Sequence, residues 1–214
     1  ASAHYSGSSV VVVDAVADWA RGACHVPELR FVARFFDDPG YIRALSRVVL
    51  QHWQAHGRPD KLVMSFHGVP QRTVERGDPY YDECVATARL LAERLALRPH
   101  DWVLSFQSRF GKAKWVEPAT QAVLEQLGRA GTARVDVVCP GFVVDCLETL
   151  EEIAMEGRDA FQAAGGQAFH YLPCLNDDPV WLAALAEIVQ DHLQGWPTRA
   201  RVPASPPAGL VGAS

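Results

Sequence analysis

The chain has 214 residues, of which 49% are hydrophobic and 21% are charged, and its net charge is −5. This composition is typical of a soluble globular protein with a sizeable core, and it provides no basic surface for nucleic acid. No run of about 18 apolar residues occurs, so no transmembrane helix is predicted.

The cysteines are odd in number and scattered along the chain, and they form no C-x-x-C pair: Cys24, Cys84, Cys139, Cys146 and Cys174. This pattern indicates reduced thiols and a cytoplasmic protein rather than a disulfide framework or a zinc finger. Nothing in the spacing indicates an iron–sulfur cluster.

The first 57 residues are predicted to contain two helices and one strand. The pattern predicts a helix over Ser9–Arg21, a strand over Glu28–Phe36, and a helix that begins at Pro39 and reaches about His56. The strand has no partner strand within this region.

From Arg58 onward, strands and helices alternate regularly. The predicted strands cover residues 61–66, 101–106, a Val-rich run from Val135, and 168–173, and the last helix covers about Pro179–Leu193. This order predicts an α/β fold with a doubly wound, parallel four-stranded sheet and helices on both faces. The Pro, Ala and Gly-rich tail, residues 195–214, is predicted to be disordered.

Parallel sheets of this kind bind ligands at the carboxyl ends of their strands. The residues at or just after these ends include His67, Gln107, Ser108 and Phe142. No G-x-G-x-x-G, P-loop or G-x-S-x-G motif follows any strand, which argues against a dinucleotide site and a nucleophile elbow. A simpler interpretation makes His67 a histidine satisfied by the backbone, and Phe142 a packing residue.

An acidic segment follows the third strand of this region. A helix is predicted to begin near Asp145, so Glu148, Glu152 and Glu156 would stack along one face and could attract a divalent cation. Leu147 and Leu150 fall on a different face and are predicted to pack against the sheet. Alternatively, Asp145 and Glu148 form a capping box and the other two glutamates are a solvated surface.

Taken together, these segments resemble ferrochelatase, the enzyme that inserts ferrous iron into a porphyrin at the end of haem synthesis. The matching pieces keep the family's order and cover nearly all of residues 1–194: HYS at 4–6, PELRF at 27–31, SFHGVPQR at 65–72, GDPYY at 77–81, SFQSRFG at 105–111, KWVEP at 114–118, CPGFVVDCLETLEE at 139–152 and PCLND at 173–177.

The resemblance implies a role for each matching residue. His67 corresponds to the histidine on one wall of the porphyrin cleft, and Glu148 to the carboxylate that faces it. Further acidic positions on a metal route correspond to Glu152 and Glu156, and the aromatic positions near the macrocycle correspond to Trp115 and Phe142. With the strand-end residues, the predicted substrate-binding set is Gln107, Ser108, Trp115, Phe142 and Asp145. Where many members have a histidine, this chain has Cys146, so no role is assigned to that position.

The implied chemistry fits these residue types. Two pyrrole protons leave the macrocycle as the cation enters, and a neutral imidazole and a carboxylate can accept them. The predicted metal ligands are His67, Glu148, Glu152 and Glu156. Ferrous iron and a porphyrin, either protoporphyrin or a close precursor, are the expected substrates, and no cofactor is required. Because the porphyrin is apolar, peripheral contact with a membrane is also expected; the sequence does not indicate an oligomeric state.

The resemblance also implies two similar domains. We expect residues 1–57 to be a remnant of the first, 58–177 to form the second, and 178–194 to form a helix that packs back on the first. With much of the first domain lacking, the chain alone is expected to be a weak or inactive chelatase. Two alternatives stay open: a half-chelatase that binds porphyrin, haem or metal without turnover, and a chelatase that inserts cobalt or nickel into another tetrapyrrole.

Overall fold

The computed structural model describes residues 3–4 and 7–197, in which strands and helices alternate from residue 61 onward. The strands are β1 (Lys61–His67), β2 (Trp102–Gln107), β3 (Arg134–Val138) and β4 (Ala168–Tyr171). The helices are α1 (Gly7–Gly22), α2 (Pro39–His56), α3 (Gln71–Glu75), α4 (Tyr80–Arg94), α5 (Thr120–Arg129), α6 (Leu147–Leu150), α7 (Arg158–Ala163) and α8 (Pro179–His192). A π-helix (Glu152–Gly157) lies between α6 and α7.

The four strands form one parallel sheet in the order β2-β1-β3-β4. Leu62 of β1 is in register with Trp102 on one side and Asp136 on the other, and Asp136 is in register with His170. The prediction of a parallel four-stranded sheet is confirmed. All carboxyl ends of the strands therefore meet at one edge.

Helices cover both faces of the sheet, as predicted. Leu62, Met64 and Phe66 point to one face and pack in a core with α2, α4 and α8. The intervening Val63 points to the other face, where the π-helix and helices α5 and α7 complete a second core. This alternation along β1 follows from the two-residue period of a strand.

Helix α2 begins at the predicted residue because its first turn is capped. Asp38 accepts a hydrogen bond of 2.9 Å from the Tyr41 N–H, and Pro39 occupies the first turn. A side chain at Gly40 would place its Cβ only 2.7 Å from the Cβ of Ala184, so glycine permits close packing of α2 against α8. The division of the chain into domains at residue 57 stays a prediction.

The predicted strand over Glu28–Phe36 is wrong, because this segment has no regular secondary structure. Its apolar side chains do not pack in a sheet: Leu29 is 42% exposed and Phe31 is 47% exposed. A strand needs a neighbour to satisfy its backbone groups, and none pairs with this segment among the described residues. Part of the HYS segment, and residues 198–214 of the predicted tail, lie outside the described residues.

No helix within the described part of the chain is long and apolar enough to cross a membrane. All five cysteines are free thiols; three of them, Cys84, Cys139 and Cys174, are buried.

Candidate active site

Two neighbouring cavities open at the carboxyl ends of the strands. The first, which we call the aromatic cleft, has a volume of about 840 Å³ and is lined by His67, Gly68, Tyr80, Phe110, Trp115, Phe142, Cys146 and their neighbours. The second, which we call the acidic cavity, has a volume of about 670 Å³ and is lined by Ser108, Phe110, Glu148, Glu151, Glu152, Glu156 and their neighbours. Phe110 is shared by the two cavities.

His67 ends strand β1 on the wall of the aromatic cleft and is half-buried. Its Nδ1 lies 2.6 Å from the carbonyl oxygen of Gly68, and its ring centroid lies 6.2 Å from that of Phe142. Donation by Nδ1–H to this carbonyl favours the tautomer in which Nε2 keeps its lone pair. The Tyr80 hydroxyl donates to the His67 carbonyl at 2.8 Å, which fixes the backbone at this point. The imidazole is therefore oriented as a proton acceptor.

Trp115 forms another part of the aromatic wall. Its loop is joined to the loop after β1 by a 3.0 Å hydrogen bond from the Val116 N–H to the Val69 carbonyl. The Trp115 indole N–H donates to the Phe110 carbonyl at 3.0 Å, and the two rings lie 5.0 Å apart. A Cβ at Gly68 would lie 2.8 Å from a main-chain oxygen of β2 and 3.2 Å from the Trp115 ring. Glycine at 68 therefore allows the two loops to close on each other.

The predicted glutamates all reach one cavity, but not through the predicted helix. Helix α6 is only four residues long, and the Glu156 N–H donates to the Glu151 carbonyl at 2.9 Å, the five-residue spacing of a π-helix. The prediction of one long helix from Asp145 is therefore wrong. Glu148, Glu152 and Glu156 nevertheless line the acidic cavity together, because the π-turn follows directly on the short helix.

The buried face of this segment also differs from the prediction. Leu147 is 71% exposed and Leu150 is 49% exposed, whereas Thr149 and Ile153 are 0% and 1% exposed. The helix begins after Cys146, whose N–H donates to the Thr149 hydroxyl at 3.0 Å in a capping box. Thr149, rather than the leucines, therefore packs against the protein.

Asp145 does not form the capping box proposed from its D-x-x-E spacing with Glu148. It instead binds Tyr171, Cys174 and Asn176, and we call this group of contacts the Asp145 clamp. Its carboxylate accepts hydrogen bonds from the Tyr171 hydroxyl, the Cys174 N–H at 3.0 Å and the Asn176 amide at 2.7 Å. Partial burial opposes its ionisation, but these hydrogen bonds outweigh burial and lower the pKa of Asp145. The clamp joins the loop after β3 to the loop after β4. A role for Asp145 toward a substrate stays a prediction.

Glu148 is exposed at the mouth of the acidic cavity, next to the aromatic cleft. A hydrogen bond from Cys146 lowers the pKa of Glu148 below its ordinary value, and the nearby His67 contributes in the same direction. The two residues predicted to face each other line neighbouring cavities that share Phe110. Burial and the neighbouring Glu148 raise the pKa of the Cys146 thiol.

The strand-end residues Gln107 and Ser108 hold the acidic segment in place. The buried Gln107 amide donates to the Glu148 carbonyl at 2.7 Å and accepts from the Ser65 hydroxyl at 2.8 Å. Ser108, at a left-handed φ of 62°, donates to both carboxylate oxygens of Glu152, from its N–H at 2.6 Å and from its hydroxyl at 2.7 Å. Their predicted role as substrate ligands stays a prediction.

Two residues of the site were not singled out from the sequence. Glu151 lines the acidic cavity as a fourth glutamate, and Phe110 is 75% exposed between the two cavities. Glu151 could have been recognised as part of the acidic run, because an α-helical period places it, three residues after Glu148, on the same side of the helix. Phe110 lies in an irregular loop, where no periodicity indicates the direction of a side chain.

Comparison with known proteins identifies close relatives. The family model described as Ferrochelatase matches residues 1–193. The chain is 59% identical to the ferrochelatase of Methylibium petroleiphilum over 194 residues, which are 91% of this chain and 53% of the relative. It is 62% identical to the ferrochelatase of Chromobacterium violaceum over 172 residues, which are 80% of this chain and 47% of the relative. The chain thus spans about half the length of the curated relatives it matches.

A solved structure has the same fold. It is that of CbiX, described as the terminal enzyme for biosynthesis of siroheme in denitrifying bacteria, and it covers 88% of this chain and 72% of its own. The TM-score is 0.56 and the sequence identity is 18%, so the likeness concerns the fold alone.

Proposed function

The chain belongs to the ferrochelatase family, and from this premise we propose that it acts in the insertion of ferrous iron into a porphyrin to form haem. The observation that supports this most strongly is the placement of His67 on the wall of an aromatic cleft that adjoins the acidic cavity lined by Glu148. The aromatic cleft suits an apolar macrocycle, and the neighbouring acidic cavity suits a cation.

The aromatic cleft suits a flat apolar ligand. Its volume of about 840 Å³ lies within the roughly 300–1,000 Å³ of small-molecule sites. Trp115 is buried behind the cleft and held by its indole hydrogen bond and by contact with Phe110, and the half-buried Phe142 lies near His67. We propose that these aromatic side chains hold the macrocycle with its centre close to His67.

Metal insertion releases two pyrrole protons, and the site offers two acceptors. His67 has its Nδ1 at the Gly68 carbonyl, so Nε2 can take one proton, and Glu148 has a lowered pKa and is ionised at neutral pH. The other glutamates of the acidic cavity, Glu151, Glu152 and Glu156, would supply oxygen ligands for ferrous iron on its way to the ring. Iron is a substrate in this scheme. Its oxidation state does not change, and the reaction needs no resident cofactor.

The proposed function also implies where the protein acts in the cell: in the cytoplasm, with peripheral contact to a membrane. A cytoplasmic protein is supported by five thiols of which none is in a disulfide. Peripheral contact with a membrane is supported by exposed apolar side chains near the start of the chain, such as Trp19, Leu29 and Phe31, and by the apolar nature of a porphyrin.

An anaerobic absorbance titration tests the function. Protoporphyrin is added first, and ferrous iron afterwards, to a polypeptide that contains this chain and has the full length of its relatives, so that binding and metal insertion are recorded separately. We expect His67→Ala to lower the rate of insertion by at least about 100-fold while porphyrin still binds, because one proton acceptor is lost. The matched control is His100→Ala, since His100 is exposed beside Asp101 and lies in neither cavity.

Other results would change the conclusion. Near-normal insertion by His67→Ala would refute the assignment of this residue. Porphyrin binding without insertion by the unaltered polypeptide of full length would favour a non-catalytic binding protein, and faster insertion of cobalt or nickel than of iron would favour a chelatase of another tetrapyrrole.

A further inference from the structure

A second group of possible metal ligands lies away from the two cavities. His52 on α2, Asp136 on β3 and His170 on β4 bring one ligand atom each to within 4.8 Å of one another. Asp136 is in register with Leu62, whereas His67 ends the same strand, so about 16 Å of strand separates the two levels of the sheet. This cluster is therefore not part of the candidate active site.

The distances within the cluster match those around a metal ion. His52 Nε2 lies 3.0 Å from His170 Nδ1 and 3.5 Å from an oxygen of Asp136, and His170 Nδ1 lies 3.3 Å from the other oxygen. Metal–ligand bonds of 2.0–2.2 Å in octahedral or tetrahedral geometry separate neighbouring ligand atoms by about 2.8–3.6 Å. The separation between the two imidazole nitrogens and the one from His170 Nδ1 to Asp136 Oδ1 lie in this range, whereas the 3.5 Å separation from His52 Nε2 is to Asp136 Oδ2. Two of the three separations are longer than an ordinary hydrogen bond of about 2.7–3.2 Å.

Asp136 is held in a fixed orientation but keeps bonding capacity. It is completely buried, and it accepts hydrogen bonds from Trp53 Nε1 at 2.9 Å, Arg134 Nε at 3.0 Å and Arg134 Nη2 at 3.0 Å. These three donors use three of the roughly four lone-pair positions of a carboxylate. The remaining one is on Oδ1, which takes only the Arg134 Nε bond and is the oxygen nearer to His170. Partners of this kind orient metal ligands in known sites.

The site is reachable from solvent and has a third imidazole beside it. The side chains of His52 and His170 are 18% and 33% exposed. His56, one helical turn after His52, stacks on the His52 ring at 4.4 Å and lies 5.4 Å from the His170 ring. Arg134 Nη2 lies 3.3 Å from His52 Nε2, so its positive charge opposes a cation and limits the affinity.

We propose that His52, Asp136 and His170 bind a divalent first-row transition metal ion, with zinc as the representative probe. Two imidazoles and one carboxylate are a common ligand set for such ions and leave positions for water or for His56. The ion would link α2 to strands β3 and β4, so its main effect would be on the stability of the fold. The inference does not depend on the proposed function.

Zinc titration of a suitable background variant tests the site. In a chain with His67→Ala, Glu148→Gln, Glu152→Gln and Glu156→Gln, most of the metal ligands predicted at the active site are gone. Calorimetry should still detect one bound zinc ion per chain. At zinc concentrations about 100-fold above the dissociation constant, the melting temperature should rise by about 5–10 °C.

Additional substitutions in this background identify the ligands. His170→Ala should abolish both the bound zinc and the rise in melting temperature, whereas His100→Ala should retain both because its histidine–aspartate pair lacks a second imidazole. His52→Gln, which keeps a polar side chain, provides a second test if His170→Ala fails to fold. The proposal is overturned if the background variant binds no zinc, or if zinc binding survives in a folded His170→Ala or His52→Gln chain.

Discussion

The two central carboxylates of the site are held in different ways. Glu152 receives two hydrogen bonds from Ser108 and is anchored to the end of β2. Glu148 receives a hydrogen bond from Cys146 and interacts with His67. Because both oxygens of Glu152 are held by Ser108 and Glu148 interacts with His67, we expect Glu148 to accept a proton and Glu152 to bind a cation.

Substitution of each glutamate by glutamine distinguishes these roles. Glu148→Gln should lower the rate of iron insertion by at least about 100-fold, because the amide cannot accept the proton. Stability should change by less than about 0.5 kcal/mol, since Glu148 is exposed and the capping box uses Thr149 instead. Glu152→Gln should mainly raise the Michaelis constant for iron. Steady-state kinetics measure the rate of iron insertion and the Michaelis constant for iron. If the two substitutions change these parameters equally, the glutamates act only through their general charge.

The element that differs most from the sequence-based expectation is the acidic segment. Its residues have good α-helical spacing, yet the structure has a loop to Cys146, a four-residue helix and a π-helix. A periodic pattern does not reveal that the Asp145 carboxylate binds Tyr171, Cys174 and Asn176, because these contacts come from β4 and the loop after it. The clustering of the glutamates was predictable, but the backbone that produces it was not.

Deletion of one residue from the π-helix tests its importance. Met155 is 55% exposed, so removing it should cost little packing while converting the five-residue hydrogen-bond spacing to that of an α-helix. The glutamates before the deletion would rotate by about 100° relative to α7. We expect a folded chain with at least about tenfold weaker binding of ferrous iron, measured by anaerobic titration. Met155→Ala is the matched control, and unchanged iron binding after the deletion would contradict the expectation.

The Asp145 clamp predicts a dependence of stability on pH. Because its folded-state pKa is lowered, the ionised carboxylate contributes stability above its unfolded pKa of about 4, and this contribution is lost as pH falls through the folded value. Asp145→Asn should lower the free energy of unfolding at pH 7 by about 1–2 kcal/mol, a range reduced for partial exposure. Urea denaturation at pH 3 should show a smaller difference in the free energy of unfolding between the unaltered chain and Asp145→Asn. A constant difference between the two pH values would argue against the clamp.

At the scale of the whole molecule, the order of strands and helices was the most predictable feature. The apolar runs that form β1 to β4 are short and separated by helices, and this order leads to a parallel sheet. The segment Glu28–Phe36 has a similar apolar character but has no neighbouring strand within residues 3–4 and 7–197, and sequence alone does not show whether a partner is present. The aromatic cleft likewise depends on contacts between loops distant in sequence, such as Val69 with Val116.

The fold separates the two candidate metal sites along the sheet. Glu148 and the other glutamates lie where the strands end, whereas His52, Asp136 and His170 lie about 16 Å of strand away and join α2 to the sheet. Substitutions in one site should therefore leave the other intact, since sites more than about 10 Å apart act independently.

The most direct test of the proposed function is a crystal structure of the chain with a metal-free porphyrin bound. We expect the macrocycle to lie in the aromatic cleft, in contact with Trp115 and Phe142, with the His67 imidazole facing the pyrrole nitrogens and Glu148 on the side of the acidic cavity. A macrocycle bound elsewhere, or one in the cleft with His67 turned away from the ring centre, would contradict it.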